Sequence, residues 1–413
     1  MSRYRTATRG NFQMSDSAAV QTAEKRNWVR ALAVEFRALP VLMGLIGLII
    51  FFSFQSEVFL STTNLSNVLV QTIVIGTISL GLVFILLQGE IDLSVAAVSG
   101  VSSVLMAHLI VNMGFTPWVG ILLALVGGAA VGAITGWWVT AFGVPSFVVT
   151  LGMGLFLNGV QLWILPTSGS INLLGTGVER IAGEFVTGIW SWVVLAIALL
   201  LIGWLYITRF LNFKRAGVDV SFTKKVVAPV GIAIVAGGAL VLALNASRGV
   251  PVPVIIFASL LGLAAFVLTE TRFGLHIYAV GGNAEAARRS GINVTRIKIT
   301  AFALAGTLSA VAGIIAASRI LGVSVSSGGG IGGGALLLNA IAATVIGGVS
   351  LFGGRGRASS ALLGALVIGV VTNGLNLMGV TSEIQWMVTG LLLIFAVTID
   401  RLVERYVPQT GGA

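Results

Sequence analysis

Long apolar runs recur along this chain and restrict its fold more than any other feature. Each run has about 20 residues, the length that an α-helix needs to cross a hydrocarbon layer of about 30 Å. Inside a bilayer the backbone has to satisfy its own hydrogen bonds, so runs of this kind fold as helices. Only 9% of the residues are charged, whereas a soluble domain has about 25%. The sequence therefore predicts an all-α polytopic membrane protein.

About twelve transmembrane helices are predicted, with room for broken or re-entrant segments. The apolar runs lie near 38–56, 68–88, 93–113, 118–142, 147–166, 189–208, 226–245, 252–271, 299–320, 334–351, 359–378 and 382–400. From Leu93 to Val178 there is no Asp, Glu, Lys or Arg. The span boundaries in that part depend on Gly, Pro and Asn, and a broken or re-entrant helix fits there.

Both ends of the chain are polar and are predicted to be tails. Residues 1–37 contain no apolar core before a cleavage site, so we predict no signal peptide. We expect a largely disordered cytoplasmic tail that ends in a short interfacial helix near Trp28–Phe36. The transmembrane domain then covers 38–400, and residues 401–413 form a cytoplasmic C-terminal tail.

The basic residues fall mainly on one side of the predicted spans. With a cytoplasmic N-terminus, the outside loops hold only Arg180, Arg248 and Arg319. The inside loops hold Arg209, Lys214, Arg215, Lys224, Lys225, Arg272, Arg288, Arg289, Arg296, Lys298, Arg355, Arg357, Arg401 and Arg405. This bias follows the positive-inside rule. It explains the net charge of +10 without a nucleic-acid partner, and we expect none.

The densest cluster of charge between two apolar runs is Gly281–Lys298. Asn283 is a suitable N-cap, Glu285 lies in the first turn, where the helix dipole favours negative charge, and Gly291 suits the left-handed end of a helix. The pattern predicts a capped helix of about two turns outside the membrane. A partner protein can push on such a helix; the alternative is a solvated loop helix without a partner. The candidate contact residues are Asn283, Glu285, Ala286, Ala287, Arg288, Arg289, Ser290 and Gly291.

A second motif, Gly89–Ser94, reads GEIDLS and places Glu90 and Asp92 between two apolar runs. A carboxylate inside a span costs about 2.5–3.5 kcal/mol on insertion scales, so it is usually paired, interior or functional. One interpretation makes Asp92 the N-cap of a span that begins at Leu93. The other places it beside a pathway through the membrane or against a cytoplasmic partner. The two interpretations are compatible.

Five amide side chains lie within apolar runs and are candidates for a translocation path: Asn158, Gln161, Asn339, Asn373 and Asn376. Interhelical hydrogen bonds explain most such residues and contribute roughly 0.6–2 kcal/mol each. A sugar also needs amide donors and acceptors beside an aromatic platform, for which Trp163 and Trp386 are available. Trp more often marks the membrane interface, so packing and path both stay open.

Several kinds of chemistry are not indicated by the sequence. There is no cysteine, and two histidines and 14 acidic residues offer little for a metal site. No Ser, His and Asp spacing suggests a hydrolase. Gly328–Gly333 matches G-x-G-x-x-G, but it lies between spans and not in a βαβ unit. There is no G-K-S or G-K-T, so ATP would have to bind to a separate chain. We predict no catalytic residue, metal or cofactor.

Five segments occur in an order that is known from one family. They read GEIDLS at 89–94, VPSFVVTLGMG at 144–154, FGLHIYAVGGNAEAARRSGIN at 273–293, AIAATVIGGVSLFGG at 340–354 and NGLNLMG at 373–379. The first resembles the G-I-D-L-S signature of ABC sugar permeases of the ribose, arabinose and xylose type, and the third is similar to their cytoplasmic loop. The resemblance covers the chain from about Ala38 to Asp400.

This resemblance implies a permease subunit of a bacterial import system in the inner membrane. Such permeases work in pairs, each contacts a cytoplasmic ATPase through a coupling helix, and a periplasmic sugar-binding protein delivers the solute. In this chain the coupling helix falls on 283–291, within a coupling loop of about 272–298. The implied partners are the ATPase, the binding protein, a second permease copy and membrane lipid.

Two departures from the family pattern bear on the solute. Residues 205–253 are long for the ribose type and read as an inserted basic loop with one further span. The longer members of the family are of the xylose type, which favours xylose. The family often has an acidic residue where Asn339 stands, so a role for a charge at this position is in doubt and a different solute stays open.

Three other functions are weighed against this one. A secondary transporter driven by protons or sodium needs carboxylates near the midplane, and only Glu90 and Asp92 come close. A membrane enzyme acting on lipid or isoprenoid needs clustered Asp, His or Glu near an interface, which the sequence lacks. A structural scaffold would not need the Gly-rich segment at 326–334. Dependence on a partner ATPase separates the permease from all three.

Overall fold

The computed structural model describes residues 38–218, 220–329 and 335–406. The predicted N-terminal tail, its interfacial helix near 28–36 and residues 407–413 of the predicted C-terminal tail lie outside these ranges, as do residues 330–334 of the Gly-rich segment. The first residues of the predicted C-terminal tail, 401–406, belong to the last helix.

Within the described ranges the chain is mostly helical, with four short strands and with turns and irregular loops between the elements. The helices are α1 (Ala38–Gln55), α2 (Thr62–Leu86), α3 (Val95–Ala107), α4 (Pro117–Phe142), α5 (Ser146–Ile164), α6 (Arg180–Gly183), α7 (Ile189–Arg215), α8 (Ala228–Asn245), α9 (Val252–Glu270), α10 (Arg272–Gly282), α11 (Ala284–Arg289), α12 (Val294–Ile320), α13 (Ala335–Ile346), α14 (Ala358–Leu377) and α15 (Ser382–Tyr406). The strands are β1 (Ser170–Asn172), β2 (Phe185–Val186), β3 (Val250–Pro251) and β4 (Gly322–Ser324). Turns of π-helix, His108–Asn112 and Thr223–Val227, extend α3 and precede α8, and Ser327–Gly329 forms a 3₁₀ turn.

The prediction of an all-α polytopic membrane protein is confirmed. In the described part of the chain, nine helices are long and apolar enough to cross a membrane. Three shorter apolar helices, Pro40–Gln55, Ala335–Ile346 and Ser382–Phe395, lie where the sequence predicts the remaining spans. The stretch without Asp, Glu, Lys or Arg forms α3, α4 and α5, with the π turn after α3. In the described part of the chain the shortest of the apolar helices is α13, whose 12 residues measure about 18 Å.

Helices α2, α3, α12 and α14 are the most buried of the long apolar helices and form the centre of the bundle. Helix α12 packs along α4, α2 and α3, and α14 packs on α2 and α13. Small residues allow the closest of these contacts, because a Cβ on Gly128 would lie 2.7 Å from Gly306 O and one on Gly132 would overlap Phe302 O. Backbones that approach this closely gain van der Waals contact that lipid tails cannot replace.

The two ends of α12 define the two ends of the molecule. This helix has 27 residues and is about 40 Å long. It begins beside α11 and ends at β4, which pairs antiparallel with β1, with Ile171 opposite Val323. A second antiparallel pair joins β2 to β3. We call these the α11 end and the strand end.

Candidate functional site

Helix α11 is a capped helix, as the sequence predicts. The side chain of Asn283 accepts a hydrogen bond from Ala286 N at 2.9 Å. Glu285, in the first turn, pairs with Arg288 and Arg289 in the last turn, each at 3.2 Å. Gly291 takes a φ of 85°, the left-handed conformation that ends a helix. Both caps are local, so the neighbouring sequence specifies them without long-range contacts.

Most of α11 is available to a partner. Ala287 is 5% exposed and packs into the main apolar core, so it anchors the helix. The residues exposed around it are Asn283, Glu285, Ala286, Arg288, Arg289, Ser290 and Gly291. Together they form a small polar knob with two arginines and one carboxylate, resting on the bundle through a methyl group.

Three backbone segments meet beside α11, at a place that we call the glycine junction (Gly89, Gly281, Gly353 and Gly354). Gly354 N donates to Leu87 O at 2.8 Å, and Gly281 packs on that hydrogen bond. A Cβ on Gly281 would overlap Leu87 O and would lie 2.6 Å from Gly354 N. A Cβ on Gly353 would lie 2.7 Å from Gly281 O. If α10 moves, its backbone at Gly281 presses directly on the backbone of Leu87 and Gly354, because no flexible side chain lies between them.

Tyr278 gives α10 a second attachment to the same loop. Its hydroxyl donates to Gly356 O at 2.8 Å. Burial raises the pKa of this hydroxyl, and the nearby charge of Arg357 opposes the shift. The phenol therefore keeps its proton at neutral pH and remains a donor, which holds α10 to the loop before α14.

The GEIDLS segment is held between α12 and α5. Glu90 forms an ion pair with Lys298 in the first turns of α12, and both side chains are mostly buried. Ile91 N donates to Ser146 Oγ at 3.1 Å, and Ser146 begins α5. The motif thus joins two helices and the glycine junction at the α11 end.

The Glu90–Lys298 pair should contribute measurably to stability because it is only 15–18% exposed. We expect Glu90→Lys and Lys298→Glu each to lower the free energy of unfolding by about 1–3 kcal/mol, and the double exchange to restore most of the loss. The temperature at which the purified protein aggregates on heating ranks the wild type, the two single variants and the double variant by stability. The same exchange in Arg180 and Glu184, whose side chains are 74% and 61% exposed, should change stability by less than about 1 kcal/mol. Equal losses in the single and double variants at Glu90 and Lys298 would show that the pair is not coupled.

The structure corrects one interpretation of Asp92. Helix α3 begins at Val95, not at Leu93, and Ser94 occupies the N-cap position without a capping hydrogen bond from its side chain. Asp92 is 3% exposed, and its Oδ1 accepts hydrogen bonds from Ser94 N at 2.8 Å and Ser94 Oγ at 2.6 Å. The carboxylate therefore closes a turn two residues on, as Asp often does, and the helix starts after that turn. Burial raises the pKa of Asp92 above its ordinary value, and the two hydrogen bonds from Ser94 offset only part of this rise.

Two of the candidate path amides form hydrogen bonds with other side chains. Asn373 of α14 exchanges two hydrogen bonds with Asn64 of α2, at 2.9 and 3.0 Å, and both residues are buried. Asn376 is exposed and accepts from Gln385 Nε2 at 2.7 Å. The amide of Asn373 thus joins two helices. Asn64 was missed at the level of sequence, because a polar residue in the first turn of a helix resembles an ordinary cap.

Gln161 occupies a different environment, near the strand end. Its Nε2 lies 3.1 Å from Ser324 O, 3.3 Å from Val325 O and 3.1 Å from Ser327 O. Its Oε1 is buried without a hydrogen-bond partner among the described residues. Gln161 therefore holds the segment that leads to α13. Asn158 and Asn339 are half-buried, and no hydrogen bond joins any two of the five amides within the described ranges.

Residues 38–218, 220–329 and 335–406 contain no group of three or more His, Cys, Asp or Glu that could hold a metal. The described features of the site are an exposed capped helix, a rigid backbone junction beside it and a segment held by Gln161 at the opposite end.

Comparison with known proteins extends this description. The family model described as "branched-chain amino acid transport system / permease component" matches residues 64–397. The xylose transport system permease protein XylH of Escherichia coli (strain K12) is 36% identical over 72% of this chain and 75% of its own. XylH of Haemophilus influenzae is 36% identical over 72% and 79%. No solved structure matches the chain significantly.

The ribose import permease protein RbsC of Escherichia coli (strain K12) is also similar, at 34% identity over 74% of this chain and 76% of its own. The matched region includes α2 to α14, and therefore the GEIDLS segment, the glycine junction and α11. The chain thus belongs to the branched-chain amino acid transport system / permease component family, as an ABC permease of the ribose and xylose type.

Proposed function

We propose that this chain carries a monosaccharide, xylose in the first instance, across the bacterial inner membrane as the permease subunit of an ATP-driven importer. The observation that carries the proposal is α11: an exposed, doubly capped helix that rests on the glycine junction. The relatives named for xylose are slightly more similar than those named for ribose. The description of the family names branched-chain amino acids, and these are the alternative solute.

The charge distribution supports a cytoplasmic position for the α11 end. Arg288, Arg296 and Lys298 lie in or just after α11, and Arg357 precedes α14 at the same end. Arg180, Arg248 and Arg319 flank the strand end. By the positive-inside rule, the α11 end and both chain termini face the cytoplasm. The strand end then faces the periplasm, where a sugar-binding protein would dock.

In the proposed mechanism, ATP acts through a separate ATPase that contacts α11. The knob offers a partner the charges of Arg288 and Arg289, 66% and 79% exposed. A push on α11 moves α10 and, through the glycine junction, the loops that lead to α3 and α14. Two such chains, each driven by one ATPase, would switch between inward- and outward-open packings by rigid-body movement.

The path for the solute is proposed to pass Asn158, Gln161 and Asn339. Within the described residues, none of these three side chains forms a hydrogen bond with another side chain. A neutral sugar is recognised by amide donors and acceptors, so no charge is required at Asn339. We assign Asn373 and Asn376 to packing, because their amide oxygens already accept hydrogen bonds within this chain.

Co-purification with the partner ATPase tests the proposal. Arg288→Glu with Arg289→Glu should abolish the complex and lower ATP-driven xylose uptake into proteoliposomes at least about tenfold, since a charged hydrogen bond that the partner covers contributes roughly 1.5–3 kcal/mol and about 1.4 kcal/mol corresponds to a factor of ten. The milder pair Arg288→Ala with Arg289→Ala, which keeps α11 helical, should lose part of both. Arg180→Glu with Arg248→Glu, at the other end, should leave the complex intact.

Two results would contradict this function. Wild-type complex formation by the Arg288 and Arg289 variants would show that α11 is not the contact with the ATPase. ATP-driven uptake of leucine in preference to xylose would show that the solute is an amino acid. Faster uptake of ribose than of xylose would mean that the solute is still a monosaccharide but is ribose.

A further inference from the structure

The last turn of α7 and the π turn that precedes α8 together carry four cations that the proposed mechanism does not use. We call Lys214, Arg215, Lys224 and Lys225 the basic tip. All four residues are exposed, and none forms an ion pair within the described residues. In the sequence, Asp219 lies between them, which leaves a net charge of about +3 in this short segment.

Aromatic rings accompany these charges. Lys214 Nζ lies 6.0 Å from the centre of the Phe210 ring, and Lys225 Nζ lies 5.8 Å from that of Phe213. The rings of Phe210 and Phe222 meet edge to face at 5.1 Å. Phe213 is 42% and Phe222 49% exposed. Exposed rings beside lysines are typical of the headgroup level of a bilayer, where the ring is partly in lipid and the amine is in water.

The helices that hold the basic tip lie at the edge of the bundle. Little of α7, and little of the helical segment Thr223–Asn245 that contains α8, is buried inside the protein. The large apolar side chains that they expose include Leu200, Leu201, Trp204, Ile232 and Val235. Exposed apolar faces on helices of this length are typical of contact with lipid, and the end of such a helix lies at the level of the headgroups.

Arg209 attaches the end of α7, just before the basic tip, to a neighbouring helix. It pairs with Glu270 and donates to Thr269 Oγ1, which ties the last turns of α7 to the end of α9. Its charge is thereby neutralised, in contrast to the four cations beyond it. The end of α7 is thus held to α9, while the four cations of the basic tip are exposed and form no ion pair within the described residues.

We propose that the basic tip binds the phosphate groups of anionic phospholipids in the leaflet at the α11 end. The lysines and the arginine supply the charge, and the phenylalanine rings seat in the acyl region beneath the phosphates. A free phosphate ion lacks the acyl chains that these rings require, so the lipid is the occupant. This inference goes beyond transport and does not depend on which solute is carried.

Spin-labelled phosphatidylglycerol and phosphatidylcholine, in phosphatidylcholine bilayers that contain the full-length protein, test the proposal. The wild type should retain phosphatidylglycerol preferentially next to the protein, and the preference should fall as salt is added. The variant with Lys214, Arg215, Lys224 and Lys225 all replaced by Gln should lose at least about two thirds of that preference. Exchanging lysine for arginine, and arginine for lysine, at the four positions should preserve it. Arg180→Gln with Arg248→Gln should also preserve it, since these residues lie at the other end.

Three outcomes would overturn the proposal. The first is an unchanged phosphatidylglycerol preference in a folded Gln variant; the two half-variants, Lys214→Gln with Arg215→Gln and Lys224→Gln with Lys225→Gln, serve if the full variant does not fold. The second is complete displacement of the lipid by inorganic phosphate at constant ionic strength, which would indicate a site for a soluble anion. The third is a wild type without preference whose tip becomes protected only when the ATPase binds, which would make it a protein contact.

Discussion

Replacing Gly281 with alanine is expected to abolish transport, whereas the same change at the adjacent Gly282 should leave it at the wild-type rate. A Cβ on Gly281 would overlap Leu87 O and would lie 2.6 Å from Gly354 N, and both of these are backbone atoms. A Cβ on Gly282 has nothing within 4 Å. Neither glycine has a positive φ, so the contrast isolates the close approach of the three segments.

The size of the expected effect follows from what the added methyl group would meet, because the nearest atoms belong to the backbone. In a helix, Gly→Ala usually stabilises by up to about 1 kcal/mol, and Gly282→Ala should show this gain or no change. At Gly281 the added methyl must displace the hydrogen bond between Gly354 and Leu87 or move α10. Overpacking of this kind costs about 1–3 kcal/mol or more, and the loss falls on the junction beside α11.

Three measurements on Gly281→Ala and Gly282→Ala separate the causes. They are the yield of monodisperse protein, co-purification with the ATPase and ATP-driven xylose uptake. A folded Gly281→Ala protein that still binds the ATPase but does not transport would place the junction between α11 and the transmembrane helices. Wild-type behaviour of Gly281→Ala in all three would mean that the segments do not meet closely.

The second large effect is expected in the contact between α4 and α12. Gly132→Ala should destabilise the protein by about 2 kcal/mol or more, because its Cβ would overlap Phe302 O and lie 2.8 Å from Phe302 C. Gly127 lies on the same helix, and a Cβ there would meet only Leu105 Cδ2, at 3.4 Å. Gly127→Ala should therefore be neutral or stabilising, by up to about 1 kcal/mol.

Thermal unfolding of the two variants in the same detergent compares these effects directly. Gly132→Ala should unfold at a clearly lower temperature than the wild type, and Gly127→Ala at the same or a higher one. Because helix propensity is changed equally in both, the difference reports the contact between the helices. Equal midpoints for Gly127→Ala and Gly132→Ala would show that α4 and α12 can separate without cost.

The caps of α11 illustrate what could be predicted from sequence. The amide that Asn283 caps is three residues away, and the arginines that pair with Glu285 follow at three and four residues. Interactions this short depend only on the local backbone, so residue type and spacing are sufficient to specify them. The apolar runs are equally local, because the thickness of the bilayer and the rise of a helix determine their length.

Asp92 marks the limit of this reasoning. An acidic residue just before an apolar run resembles an N-cap, and the interpretation that α3 begins at Leu93 was wrong. The start of the helix depends on the turn around the carboxylate, and Ser146, which bonds the preceding Ile91, belongs to another helix. The neighbouring sequence contains no sign of that contact.

The amino-acid sequence was sufficient for the class of fold, the approximate spans and the capped helix, because each depends on hydrophobicity or hydrogen bonds within a few residues. Tertiary structure alone decided that Asn373 pairs with Asn64, 309 positions away. It also brought Gly89, Gly281 and Gly353 into one junction. Such contacts depend on how the helices are arranged relative to one another, and many arrangements satisfy the same apolar runs. Which of them forms is decided by the close packing of the whole bundle.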